Sequence, residues 1–239
     1  MKLAIFDIDG TLTCTNAIDE ACFLETAQII ISPKIKTIDP EGFKHYTDEN
    51  IVTEWYQQYF HRKPTFMEKE AFLIYFLQLL NSNRRQFPKA FTAVSGAAEI
   101  LHQLGPDWQV ALATGCWVQS AEYKLKVAKI NLQEIPLTTS SEALSRHEII
   151  KIAIQKAKAK AGVDEFEHIV YIGDGIWDLR TCIDLDLPFV GIEAEGNLEK
   201  QAKLGAYFLL HDYTNLETFI EFLSTAQAPI LEDPTDEIQ

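Results

Sequence analysis

A chain of 239 residues, 47% of them hydrophobic, is long enough for one large domain, or one domain with a smaller insert, built around a real core. A formal charge of −14 excludes a nucleic-acid partner, whose phosphates need a basic face, and gives no long-range pull on an anionic substrate, so any anion site must be built locally. No apolar run approaches the roughly 20 residues of a membrane helix, and Met1 and Lys2 lead straight into the first apolar run with no room for a leader, so a cytoplasmic location is expected.

The first element is "AIFDIDGTLT", residues 4 to 13, an apolar run closed by Asp7 and Asp9 at alternate positions and then Gly10 and Thr11. Burying one uncompensated charge is costly, and a close carboxylate pair cannot easily ionise together. A positive group, a metal ion above all, is therefore expected beside them. Between Asn16 and Thr92 the pattern changes. "FLETAQIIIS", "EGFKHYTDENIVTEWYQQYF" and "TFMEKEAFLIYFLQLLNSNRR" have helical spacing with aromatics and no buried-strand run. They predict a helical unit inserted after the first strand, returning through "QFPKAFTAVSG".

From residue 93 onward, "WQVALATG" (108–115), "HIVYIGDG" (168–175) and "PFVGIEA" (188–194) predict buried parallel strands. Between them, "SAEYKLKVAKI" (120–130), "SRHEIIKIAIQKAKAKAG" (145–162) and "NLEKQAKLGA" (197–206) predict helices. The second of these opens with a capping-box pattern, Ser145 then Glu148, and ends at Gly162. This alternation predicts an α/β class, a doubly wound and mainly parallel sheet. The expected boundaries are an α/β core over 1–15 and 93–225, a helical insert over 16–92 and a frayed acidic tail over 226–239. Four scattered cysteines (Cys14, Cys22, Cys116, Cys182) show no C-x-x-C pair and no zinc-spaced histidine set, and read as reduced, buried thiols.

Doubly wound sheets bind ligands outside the carboxyl ends of their strands. Asp7 follows "LAIF", Thr114 follows "VALA" and Asp174 follows "IVYIG". A calcium loop does not fit "DIDGTLTCTNAIDE", whose glycine is fourth rather than sixth. "GDGIWD" has Asp178 where a dinucleotide loop needs glycine, and "HEIIK" has lysine where a zinc protease needs its second histidine. Asp7, Asp9, Asp174 and Asp178 are expected to converge at one sheet edge with the hydroxyls of Thr11 and Thr114. Four carboxylates without a His or Cys cluster suit a hard ion such as Mg²⁺. A carboxylate beside Mg²⁺ can attack phosphorus.

"DIDGT", "ATG" and "GDGIWD", in this order and each on a predicted strand end, resemble the motifs of the haloacid dehalogenase superfamily. The resemblance covers the α/β part and implies roles residue by residue. Asp7 would be the nucleophile and Asp9 the general acid and base, while Thr114 and the Gly115 amide would hold phosphoryl oxygens. Asp174 would ligate Mg²⁺, and Asp178 would do so directly or through water. The family's third motif, a Lys or Arg near a helix start, matches Arg146 just after the Ser145 cap. Lys151 is the alternative, but it lies about 140° around an ideal helix from Arg146, so both cannot face one phosphate. An Asp at the position of Asp9 marks the family's phosphatases and phosphomutases, because an ester leaving group must be protonated.

The inserted helices are similar to the family's first type of cap, and the whole looks most like the phosphoglycolate phosphatase group. That implies a small phosphorylated metabolite as partner, a sugar phosphate or phosphorylated acid. The rivals are a phosphomutase, a phospho-accepting receiver of about half this length, and an idle family member serving as a binding protein. Trp117 and Trp177, next to the motif loops, are expected beneath the site or at its wall. In the insert, "HYTDENI" (45–51), His61, Arg62, Lys63, Arg84 and Arg85 are candidates for substrate contact, and Cys116 adjoins the phosphate loop.

Overall fold

The structure is a computed structural model and describes residues 1–194 and 196–230. Six strands, β1 (Lys2–Phe6), β2 (Trp108–Ala113), β3 (Leu137–Thr138), β4 (Ile169–Gly173), β5 (Phe189–Ile192) and β6 (Leu209–Leu210), form one sheet in the order β3-β2-β1-β4-β5-β6. All neighbours are parallel. β1 is central, and Leu3 to Phe6 are wholly buried because both faces of the sheet are covered. Alternate residues serve opposite faces. Ala4, Phe6, Leu112 and Ile172 belong to one apolar cluster, and Leu3, Ile5, Ala111 and Tyr171 to the other.

Register places the site. Phe6 pairs with Leu112 on one side and Ile172 on the other, so Asp7, Thr114 and Asp174 emerge together at the carboxyl edge. The crossovers include α4 (Ala97–Gln103), α5 (Val118–Val127), α6 (Arg146–Ala161), α7 (Ile176–Asp184) and α8 (Leu198–Lys203). Ser145 Oγ accepts from the Glu148 amide (3.2 Å), and Gly162 closes α6 with φ +67°, as the capping pattern predicts.

Residues 16–92 hold α1 (Asn16–Ile30), α2 (Asp48–Phe60) and α3 (Phe66–Gln86) around a third apolar cluster, which Trp117 joins from outside the range. Phe23 stands at its centre, with Phe72, Phe76, Trp55 and Trp117 rings 5.0 to 5.9 Å away. Helix is expected over 41–60, but α2 begins only at Asp48. The segment before it is a loop with one short turn, Pro40–Gly42.

At the far end, α9 (Leu216–Thr225) is followed by a stretch the sequence reads as part of a frayed tail. Instead, the Phe189 amide donates to Gln227 O (3.1 Å) and Ala226 is buried, so the chain stays pinned to β5 up to that point. Residues 231–239 lie outside the described residues. Of the cysteines, all free, Cys22, Cys116 and Cys182 are buried, but Cys14 is exposed. No helix among the described residues is long and apolar enough to cross a membrane.

Candidate active site

The predicted carboxylates gather at the carboxyl edge of β1 and β4. Oxygens of Asp7, Asp174 and Asp178 lie within 4.8 Å of one another, all buried, a spacing that suits a shared metal ion. Asp7 is 2% exposed, and its Oδ1 has no hydrogen-bond partner. Asp174 accepts from Thr11 Oγ1 and Asn16 Nδ2, each at 3.2 Å. Its backbone carbonyl is gripped by Asn197 Nδ2 (2.7 Å) and Gln201 Nε2 (3.0 Å), side chains of the chain after β5. Gly10 is required beside it: φ is +75°, and a Cβ there would collide with the Asp174 carboxylate.

Asp178 is held differently. Its Oδ1 accepts from Arg146 (2.6 Å) and the Tyr171 hydroxyl (3.1 Å), and its Oδ2 accepts from the Gly175 amide (3.1 Å). Asp178 therefore anchors Arg146, whose guanidinium also stands 3.7 Å from Asp7 Oδ1. Arg146 is the first residue of α6, as predicted, while Lys151 is exposed further along the helix. A Cβ on Gly115 would meet the Arg146 guanidinium, so the glycine lets the motif loop lie against it.

Asp9 does not join the three clustered carboxylates, which corrects its expected place among the metal-ligating side chains. The i, i+2 spacing aligns Asp7 and Asp9 only while the chain stays extended. β1 ends at Phe6, and the chain turns through Gly10. The Asp9 side chain instead accepts from Thr15 Oγ1 (2.5 Å) through Oδ1, and from Lys124 Nζ (2.5 Å) and Cys116 Sγ (2.7 Å) through Oδ2.

Electrostatics divide these groups. Burial first, then the Asp178 charge, pushes the Asp7 carboxyl up to about 8 against the pull of Arg146. Burial and the Asp7 and Asp178 charges push Asp174 well above the ordinary range. Burial also raises Asp178, with Arg146 opposing. For Asp9 burial is outweighed: the Lys124 charge and the bonds from Cys116, Lys124 and Thr15 hold it below its ordinary value. Arg146 alone does not offset the burial and mutual repulsion of the first three, which a cation would, whereas Asp9 has Lys124 to itself among them.

A cavity of about 60 Å³ opens over Asp7 and Asp9. Asp7, Asp9, Thr114, Gly115 and Arg146 line it from the sheet edge, and Asn16, Asp19, Tyr46, Thr47, Asp48 and Ile51 line it from the helical unit. "HYTDENI" thus reaches the site. Arg84 and Arg85 line a separate surface cavity, and His61, Arg62 and Lys63 are exposed and absent from this lining. The helical unit is strapped to the motif loop: the Asp48 amide donates to Gly115 O, and Asp48 Oδ2 accepts from the Trp117 amide, both at 2.9 Å. Trp117 packs in the helical cluster, whereas Trp177 lines the cavity and stacks on Tyr46, with centroids 4.3 Å apart. Lys124 and Asp19, joined at 2.7 Å, are the groups that sequence reasoning did not single out.

The fold and the clustered carboxylates together define a hydrolase of the haloacid dehalogenase type. The sequence profile of the haloacid dehalogenase-like hydrolases matches residues 1–186, and the chain belongs to that family. No curated protein matches it in sequence. Among solved structures it is similar to a hydrolase from Pseudomonas syringae, at 20% identity and a TM-score of 0.65, covering 92% of this chain and 98% of that one. It is also similar to a haloacid dehalogenase hydrolase of family IA, variant 3, from Entamoeba histolytica, at 13% identity and a TM-score of 0.62, covering 94% and 100%. A third likeness is to a protein described as a predicted phosphoglycolate phosphatase from Haemophilus somnus, at 13% identity and a TM-score of 0.58, covering 92% and 97%. These likenesses concern the fold.

Proposed function

We propose that the protein is a divalent-cation-dependent phosphatase of a small phosphate monoester, with Mg²⁺ the cation best matched to hard carboxylate oxygens. The observation that carries this reading is the unpartnered, buried Oδ1 of Asp7, standing 3.7 Å from Arg146 among clustered carboxylates. Asp7 and Asp174 would hold the ion, which when bound supplies positive charge to the carboxylates and to the phosphoryl oxygens.

The chain's own groups then have distinct tasks. An Asp7 oxygen attacks phosphorus, the ester P–O bond breaks, and the departing oxygen takes a proton from Asp9. Water next attacks the aspartyl-phosphate, giving its proton to Asp9 as the bond from Asp7 to phosphorus breaks and its electron pair returns to the carboxylate. Arg146, the Thr114 hydroxyl and the Gly115 amide hold the phosphoryl oxygens throughout. Asp178 keeps Arg146 aimed. The test is a panel of phosphate monoesters assayed for phosphate release with Mg²⁺ and with EDTA. Full activity in EDTA sinks the reading, and an isomerised product without free phosphate replaces it with a mutase.

In this reading residues 16–92 are a lid. A cavity of about 60 Å³ is far below the roughly 300–1,000 Å³ of ordinary ligand pockets, so the lid must open to admit substrate. Asp48, buried at the cavity wall, is then a specificity group. Asp48→Asn is expected to shift KM unevenly across the panel, by about tenfold for some esters, with kcat on p-nitrophenyl phosphate little changed. A uniform loss of kcat with KM unchanged contradicts this.

The metal-free protein should also show an inverted pH response. Asp7 and Asp48 ionise near 8 in the folded chain, against an ordinary 3.8, burial being the main cause for both. Between those values the folded state holds protons that the unfolded state releases, so stability falls as pH rises. In EDTA the melting temperature is expected to drop from pH 6 to pH 8. Mg²⁺ at about 100 times its Kd should restore about 2.7 kcal/mol at pH 8. Scanning fluorimetry checks both, and a melting temperature that rises with pH in EDTA refutes the arrangement.

A further inference from the structure

Lys124 is wholly buried, a rare state for lysine. Its three ammonium hydrogens match three acceptors: Asp9 Oδ2 at 2.5 Å, Asp19 Oδ1 at 2.7 Å and Cys116 Sγ at 3.1 Å. We infer that Lys124 is a positioning residue, one that fixes the Asp9 carboxylate at the cavity wall without meeting substrate. The inference rests on the phosphatase reading above, in which Asp9 carries protons.

The placement follows from the helix that bears it. On α5, Ala121 and Leu125 pack into the sheet cluster, while Tyr123 and Val127 pack against the helical-unit cluster. Lys124 therefore lies in the seam between the two. Asp9, Asp19 and Cys116 line the cavity, but Lys124 does not; it stands behind them. Its reach joins the loop after β1, the motif loop after β2 and the first turns of α1. With Thr15 Oγ1 fixing Oδ1 of Asp9, and Lys124 and Cys116 fixing Oδ2, the carboxylate is held at both oxygens. An apolar side chain of similar length would fill the seam at lower desolvation cost, so a buried lysine here is weakly explained by stability. Holding a proton carrier in one orientation explains it, because proton transfer depends on hydrogen-bond geometry.

The test uses the Mg²⁺-loaded enzyme with Lys124→Met, Lys124→Arg and Asp9→Asn, each assayed on an alkyl phosphate and on p-nitrophenyl phosphate. Lys124→Met is expected to lower kcat on the alkyl ester by about tenfold or more, while the activated ester, whose leaving group barely needs a proton, still gives its burst of nitrophenol. KM should stay within about threefold. Lys124→Arg should recover part of the loss. The crystal structure of Lys124→Met should show the Asp9 carboxylate rotated from its place. Because removing the lysine strands two carboxylates, the double variant Lys124→Met with Asp19→Asn serves where the single one does not fold, and the same pattern is expected of it. Loss of the nitrophenol burst together with alkyl-ester turnover, or an Asp9 carboxylate that stays in place, overturns the inference. Asp9→Asn separates the two ideas: wild-type rates there on the alkyl ester refute the proton-carrier reading itself, whatever Lys124 does.

Discussion

Asp7→Asn is expected to reduce kcat by about 10⁴-fold or more, the scale of losing a nucleophile, without weakening the fold. Asp7 projects from the central strand, where Phe6 is locked between Leu112 and Ile172, so the substitution does not disturb its backbone. Asparagine keeps the shape but lacks the anionic oxygen, so no phospho-enzyme can form. The variant also relieves the repulsion from Asp178 and the cost of burial that push the Asp7 carboxyl up to about 8. At pH 8 without metal it should therefore melt no lower than the wild type. Lost activity with retained or raised stability is the mark of a residue kept for chemistry rather than packing. Phosphate release, intact-mass analysis and a melting curve are the measurements. A covalent phosphate on the asparagine variant, or near-native turnover, rules out the nucleophile assignment.

Much of this was legible in the sequence, for a physical reason. Buried parallel strands are continuous apolar runs, so β1, β2, β4 and β5 stand out, and polar residues at their ends mark the site edge. Asp7, Thr114 and Asp174 could be placed on that logic, whereas Arg146, just after the Ser145 cap, was marked out by the resemblance to the family's third motif. β3 and β6 could not be found, because Leu137–Thr138 and Leu209–Leu210 are too short to show any period. The loop before α2 was hidden because its aromatics keep helical spacing while the chain there turns to place Tyr46 O near Arg146 Nε (3.3 Å). Lys124 was the least legible. In "KLKVAK" it reads as one more solvated charge, and only tertiary folding brings it to Asp19, 105 residues away in sequence. Asp9 misled in the opposite sense. Its spacing from Asp7 promised a shared ion, but the turn at Gly10 sends it to a lysine.

That difference between the two aspartates sets the second large effect. Asp9→Asn is expected to slow turnover of alkyl phosphates by about 10²–10⁴-fold, the usual contribution of a placed proton carrier. Lys124, Cys116 and Thr15 hold Asp9 below its ordinary value, so once it has protonated a leaving group it is ready to act as the base. The step that needs a base is the attack of water on the aspartyl-phosphate. The proton it gains there is the one the next leaving group requires, so a single carboxylate serves both half-reactions in turn. With p-nitrophenyl phosphate the first half-reaction should survive in the asparagine variant, giving a burst of nitrophenol equal to the enzyme present. The second half-reaction should then stall with phosphate still on Asp7. Rapid-quench kinetics and intact mass read the burst and the adduct directly. A variant that hydrolyses alkyl esters at the native rate, or that shows neither burst nor adduct while losing both substrates equally, would place the proton transfer on another group.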